Sequence, residues 1–231
     1  MMDGRYQGYH MNEDEARKLV VESGLRLVRE GLVSRTWGNI SVRLDNQSFL
    51  ITPSGISYEG MKPENIVRVF MADLRAEGPY KPSSERALHQ EIYREKPEIR
   101  AIIHTHQTAA SAVSAARKSI EGLTGEMLKI IGPHVHTAPY ALPGTKKLAR
   151  SAAVAIKGSS AVLLANHGAV CVGRTMDEAF RVSSVLEELF TETVKTAAAK
   201  MSGNDQVTED RVLALYLELR TGRNGHDQRT A

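Results

Sequence analysis

Cysteine is almost missing: Cys171 is the only one in 231 residues. An intramolecular disulfide is therefore excluded, and a reducing cytoplasm is the expected setting. Its surroundings, Ala169-Val170-Cys171-Val172, mark it as a buried small hydrophobe, not a nucleophile. Long apolar runs are missing too. None approaches the roughly 20 residues that a membrane span requires, and residues 1–10 lack the apolar core of a signal peptide. Nor does one sign of charge dominate, since 30 Lys and Arg stand against 27 Asp and Glu, a net +3. The basic residues are scattered among the acids, which argues against nucleic acid as a partner; the one basic cluster is Arg220, Arg223 and Arg229 in the tail. No repeat, low-complexity block or linker interrupts the chain. With 42% hydrophobic residues it can bury a full core. The expected division is a flexible arm over 1–11, one domain over 12–221 and a flexible tail over 222–231.

What is present is a clear alternation of periods. Ala16, Leu19, Val20, Leu27 and Val28 make the apolar face of a first helix, about 13–30, capped by Asn12 with Glu15 three residues on and stopped at Gly31. Strands are expected at 40–44, 49–52 and 66–70, the first two joined by a turn at Asp45-Asn46. Ser83-Ser84-Glu85 opens a helix that ends before Pro97. A central strand follows, then helices at about 108–117, after Thr124, and at 145–157, with a strand at 135–138. Apolar strands at 161–165 and 169–172 flank Asn166-His167-Gly168. Thr175, with Glu178 completing a capping box, starts a long helix to about 200, ended by Gly203-Asn204-Asp205. A last helix spans about 209–220. Hairpins early and alternation later imply one mixed sheet with helices on both faces.

The chemistry centres on Ile102-Ile103-His104-Thr105-His106. Residues two apart on a strand share a face, so two imidazoles stand side by side at a strand end. One metal ion can be gripped there if a third histidine and a carboxylate join. His167 follows an apolar strand and Glu85 opens a helix, so both are candidates. Three imidazoles and a carboxylate suit zinc, with manganese, cobalt or iron also compatible; calcium and magnesium prefer all-oxygen shells. His134 and His136 have the same spacing, but in a proline-flanked stretch with no nearby carboxylate, so they read as strand-edge or surface residues. Three small polar elements, Gly38-Asn39, Ser54-Gly55 and Ser83-Ser84, are suited to an oxyanion. The last lies at a helix start, where free N–H groups favour phosphate. Each taken alone is equally an ordinary turn or cap.

These pieces together resemble the class II aldolases of the L-fuculose-1-phosphate aldolase group, within the superfamily of adducin and L-ribulose-5-phosphate 4-epimerase. The resemblance covers roughly 12–200. It rests on Gly38-Asn39-Ile40-Ser41-Val42-Arg43, Ile51-Thr52-Pro53-Ser54-Gly55, Lys81-Pro82-Ser83-Ser84-Glu85, His104-Thr105-His106, Ala138-Pro139-Tyr140 with Gly144-Thr145, and Asn166-His167-Gly168. It implies a three-layer α/β/α sandwich with a mixed, largely antiparallel sheet, and a homotetramer with sites near subunit contacts. It also implies zinc on His104, His106 and His167 with Glu85 as resting ligand and proton carrier. Gly38, Asn39, Ser54, Gly55, Ser83 and Ser84 would cradle the phosphate of a sugar phosphate cleaved to dihydroxyacetone phosphate and an aldehyde; Lys81 is left to the surface. Two tyrosines that serve the aldehyde half in this group align near Gly125 and Gly222, and Tyr216 is not in register with the second. A methylthioribulose-1-phosphate dehydratase would share the metal and the glutamate. An epimerase would carry aspartate at position 85 and a C-terminal tyrosine. An adducin-like head domain would lack the histidines.

Overall fold

The computed structural model describes residues 11–33 and 37–202. The expected last helix, the stop at 203–205, Tyr216, Gly222 and the basic tail lie outside the described residues, as do 1–10 of the expected arm. Within the described residues the elements run α1 (Glu13–Arg29), β1 (Asn39–Arg43), β2 (Ser48–Ile51), β3 (Val67–Phe70), β4 (Ala76–Glu77), α2 (Arg86–Glu95), β5 (Ala101–Thr105), α3 (Thr108–Ala115), β6 (Ile120–Glu121), α4 (Gly125–Ile130), β7 (His134–Val135), β8 (Thr137–Ala138), α5 (Lys146–Ala155), β9 (Ala161–Leu164), β10 (Gly168–Gly173) and α6 (Met176–Ser202).

Eight strands form one sheet in the order β4-β3-β2-β1-β5-β10-β9-β8. Every pairing is antiparallel except β8 with β9, so the sheet is mixed and largely antiparallel. Period-2 alternation sends opposite residues to opposite cores. Ile102, Val170 and Val172 join Phe49, Ile51, Val69 and the inner faces of α2 and α5. Ile40, Val42 and Ile103 meet α1 and the start of α6, and Ala169, Cys171 and Leu163 meet α3 and the middle of α6. Both faces are thus covered, and the strands at the centre are buried throughout. Cys171 is fully buried, and desolvation pushes its thiol up to about 12; it is the inert hydrophobe expected.

Local signals hold where the chain's own neighbours decide. Asn12 Oδ1 accepts from the N–H groups of Asp14 and Glu15, and Gly31 ends α1 at φ +67°. Thr175 Oγ1 accepts from Glu178 N–H at 3.1 Å, but the Glu178 carboxylate reaches one residue further back, to Arg174 N–H at 2.8 Å, so the expected reciprocal box is displaced by a residue. The single strand expected at 135–138 is two. His134–Val135 pairs with Ile120–Glu121 in a separate ribbon, and Thr137–Ala138 joins the main sheet beside β9. The chain changes partners at His136, which local propensity does not register.

Candidate metal and substrate site

The site lies at one end of the three central strands. β5 brings His104, and His106 follows one residue beyond its last paired position. β1 on one side and β10 on the other are antiparallel to it, so the start of β1 and the turn before β10 converge on the same end. That convergence needs glycine. A Cβ on Gly38, which has φ +108°, would stand 2.5 Å from His104 O, and one on Gly168 would stand 2.3 Å from Thr105 O. Behind His106, the first N–H groups of α3 at Ala109 and Ala110 are accepted by the Glu187 carboxylate, at 2.7 and 3.0 Å, which ties the strand end to α6.

The rings of His104, His106 and His167 stand edge to edge, with centroids 4.9, 4.8 and 4.8 Å apart. His104 is fully buried. Its Nδ1 donates to Ala169 O at 2.8 Å, which leaves Nε2 with the lone pair. That Nε2 is 3.1 Å from His106 Nε2 and 3.1 Å from Glu85 Oε2, and His167 Nε2 is 3.6 Å from Glu85 Oε1. Ligands of a tetrahedral zinc at about 2.0–2.1 Å stand about 3.3–3.4 Å apart, and these separations bracket that value. Glu85 Oε1 is buried without a hydrogen-bond partner, an acceptor aimed at the histidines. The donor set and the orphaned oxygen fit a divalent cation.

Charge in this cluster follows from proximity. Burial alone would raise the Glu85 carboxyl, but the His104 and His167 imidazoles and the Asn39 amide outweigh it and hold it well below the ordinary 4.5. Burial would depress His104, yet the Glu85 carboxylate and the Ala169 carbonyl hold it above 6.5. His167 is pushed down to about 4 by burial and by His104.

The oxyanion elements are also brought together in part. An isolated bridge pairs Pro53 with Pro82. Across it Ser54 N–H donates to Lys81 O at 2.9 Å, Ser54 Oγ to Pro82 O at 2.9 Å, and Ser83 N–H to Thr52 O at 3.1 Å. Ser54-Gly55 therefore lies beside Ser83-Ser84 at the N-terminus of α2. Ser54, Gly55 and Ser84 are exposed, while Ser83 is buried with Oγ accepting from Glu85 N–H at 3.2 Å. Lys81 is exposed, as expected. Asn39 is buried, and its carboxamide is engaged inside the protein: Nδ2 donates to Glu85 Oε2 at 2.9 Å and Oδ1 faces His89.

The second histidine pair corrects one expectation. A carboxylate is close after all: Glu121 pairs with His134 across the β6–β7 ribbon, and its Oε1 is 2.7 Å from His136 Nε2. The two residues are distant in sequence and only the ribbon joins them. The rings of His134 and His136 stack in parallel at 3.9 Å, and His134 Nε2 is held by Lys157 O at 2.8 Å. Glu121, His134 and His136 thus form a second group whose ligand atoms lie within 4.8 Å of one another, although stacked rings do not aim two lone pairs at one point.

Two groups were not foreseen from the sequence. Trp37, 40% exposed, lies 6.0 Å from the His106 ring and lines a cleft of about 240 Å³ with His106, Asn166 and His167. His89, Ser41 and Tyr93 form a buried polar chain behind Asn39. The available signal was the spacing Glu85, His89, Tyr93, a polar stripe on an otherwise apolar helix face.

Comparison with known proteins shows the family. The sequence pattern of the family described as Class II Aldolase and Adducin N-terminal domain matches residues 18–194. An L-fuculose phosphate aldolase of Haemophilus influenzae is 36% identical over 180 residues, 78% of this chain and 82% of that protein. A 5-deoxy-D-ribulose 1-phosphate aldolase of Bacillus thuringiensis is 32% identical over 195 residues, 83% of this chain and 91% of that protein. A solved L-fuculose 1-phosphate aldolase superposes with a TM-score of 0.75 at 31% identity, covering 92% of this chain and all of its own.

Proposed function

The chain belongs to the class II aldolase and adducin family, and from that premise we propose that it is a zinc-dependent aldolase. It cleaves a ketose 1-phosphate to dihydroxyacetone phosphate and a small aldehyde. The observation that carries this reading is Glu85, a buried carboxylate with one oxygen lacking a hydrogen bond, facing the imidazoles of His104 and His167 beside His106. An epimerase of this superfamily would place aspartate there, and an adducin-like head would lack the histidines.

His104, His106 and His167 would hold the cation, with Glu85 as a fourth ligand until substrate arrives. Bound there, a divalent ion supplies Lewis acidity to the substrate carbonyl. Glu85 carries the proton. Held ionised by its neighbours, it takes a proton from the reacting carbon of dihydroxyacetone phosphate in synthesis. In cleavage the hydroxyl of the departing half gives up its proton and becomes a carbonyl as the carbon–carbon bond breaks. Glu85, protonated in turn, delivers one proton to the carbon left behind, so that one proton leaves the substrate and one is returned. The Ser54-Gly55 and Ser83-Ser84 elements, with the backbone at Gly38-Asn39, cradle the phosphate. Because the Ser54 and Ser83 N–H groups and the Ser54 hydroxyl are bonded to carbonyls, the donors come from Gly55, Ser84 and the Ser83 hydroxyl. We place the enzyme in the cytoplasm as a homotetramer. Exposed Leu142 and Val154, each 65% accessible, are apolar surface available to such contacts.

The decisive experiment offers fuculose, rhamnulose, ribulose and 5-deoxyribulose 1-phosphates and reads release of dihydroxyacetone phosphate, alongside metal analysis of the wild type and His104→Ala. Equimolar zinc, lost in the variant together with cleavage, is the expected result. Full metal occupancy in His104→Ala, or no cleavage of any of the four, overturns the reading.

A further inference from the structure

We propose that Tyr93, Ser41 and His89 form a one-directional chain of hydrogen-bond donors that locks the Asn39 amide onto Glu85, making His89 a positioning residue for turnover. The inference rests on the aldolase reading for its kinetic consequence but not for its geometry. Four of the residues come from two elements whose periods match across the interface. Asn39 and Ser41 are two apart on β1, and His89 and Tyr93 are four apart on α2, so each pair presents one face to the other. His89 and Ser41 are fully buried and Asn39 nearly so.

The direction of the chain follows by elimination. A carboxylate only accepts, so the Asn39 group 2.9 Å from Glu85 Oε2 is its NH₂. Its carbonyl therefore faces His89 Nε2. An amide oxygen only accepts, so Nε2 carries the hydrogen. A fully buried imidazole whose two ring nitrogens meet only a neutral amide and a neutral hydroxyl, with no carboxylate on either, stays neutral. Nδ1 is then bare and accepts from Ser41 Oγ at 2.6 Å. Ser41 Oγ, its own hydrogen committed, accepts from Tyr93 O–H at 2.8 Å; the alternative acceptor, Arg100 O, is more distant at 3.3 Å. Every dipole from Tyr93 to Asn39 thus points its positive end at Glu85.

Without His89 only the Glu85 carboxylate distinguishes the two ends of the Asn39 amide, and that hold is lost whenever Glu85 leaves its resting place. A flipped amide would set its oxygen against the Glu85 carboxylate and repel it. Glu85 must leave its resting place, carry a proton and return, so its anchor matters most while turning over. Groups that orient a metal-site carboxylate typically alter activity about 10–100-fold when removed.

The test compares wild type with His89→Leu and His89→Gln, reading kcat, KM, zinc content and melting temperature. Leucine fills the space without a donor, whereas the glutamine amide can restore an N–H at the place of Nε2. The expected result is a fall in kcat of about 10–100-fold for His89→Leu, with KM within about 3-fold and zinc still equimolar, and recovery of at least about a third of the lost factor in His89→Gln. Wild-type kcat in His89→Leu overturns the proposal. So does a loss of zinc and melting temperature that the glutamine variant shares in full, which would mark a merely structural residue. Should the leucine variant not fold, Tyr93→Phe, which removes only the first donor, is expected to shift kcat in the same direction by a smaller factor, and an unchanged kcat there overturns it. Nitrogen-15 spectra of histidine-labelled protein separate this claim from the aldolase reading. A neutral His89 protonated at Nε2 supports the chain whatever the substrate, and the opposite tautomer sinks it. Wild type that cleaves no ketose phosphate yet shows this tautomer would remove the aldolase reading alone.

Discussion

At the scale of single residues, Glu85 joins two opposed demands, since burial disfavours its charge and the His104 and His167 imidazoles favour it. Glu85→Gln keeps the shape and can still accept from Asn39, but it cannot carry a proton. Cleavage should fall about 10²–10⁴-fold while metal content stays above half of wild type; near-normal turnover would show that another group moves the proton. Metal removal should expose the pair that remains. The His104 contribution to stability, from a pKa raised above 6.5, is complete below that value and disappears as pH rises through the folded pKa. The Glu85 contribution, from a pKa depressed below 4.5, is present above that value and disappears as pH falls through the folded one. Between these limits the metal-free protein is therefore most strongly supported. Zinc requires bare nitrogens, so its stabilising effect grows as His104 loses its proton. The melting temperature of zinc-loaded protein minus that of chelated protein should rise from about pH 5.5 to about pH 8. A flat or falling difference would mean that His104 does not bind the metal.

At the scale of elements, the site depends on how closely β1 and β10 approach β5. Gly168 is the tightest point, since a Cβ there would also come within 3.0 Å of His106 Cδ2. Backbone, not a flexible side chain, is the obstacle. Gly168→Ala should cost about 1–3 kcal/mol in denaturant unfolding, as overpacked interiors do, and should weaken zinc binding with it because His106 and His167 shift apart. A variant as stable as wild type, with unchanged zinc affinity, would refute this account of the close approach. The elements were largely readable beforehand because each is set by its own residues: Asn12 caps α1, Thr145 Oγ1 accepts from Leu148 N–H to start α5, and apolar periods mark the buried faces. The two-residue strands β4, β6 and β7 were not, because so short a stretch has no period and forms only where a partner strand lies.

At the scale of the whole molecule, the distribution of specific contacts predicts the pattern of selectivity. The candidate metal ligands stand together and the oxyanion elements are brought together in part, whereas Gly125 stands where the resemblance implies a tyrosine on the aldehyde side. A Cβ there, at φ +59°, would meet nothing within 4 Å, and nearby Glu126 is committed to Arg181 at 2.9 Å. The wall nearest the histidines is instead the exposed indole of Trp37. Hydroxyl-bearing and deoxy aldehydes should thus be accepted with comparable efficiency. Across the four ketose 1-phosphates kcat/KM should differ by less than about 10⁴-fold, the discrimination that a pocket built to hydrogen-bond a hydroxyl provides. A larger preference would reveal a dedicated partner.

The sequence by itself singled out the candidate ligand set. Histidine two apart at a strand end, a histidine after an apolar strand and a glutamate after a serine pair are local signals, because side-chain direction along a strand or at a helix start depends on neighbouring residues alone. It also determined the two covered faces of the sheet, through periods of 2 and 3.6. Only the tertiary structure decided what those side chains hold. That Asn39 turns inward to Glu85, that Glu121 meets His136, and that Glu187 receives the N-terminus of α3 are contacts across 46, 15 and 78 residues of chain. No local rule reaches so far, since a polar side chain can be satisfied by many partners and burial against a particular neighbour selects one.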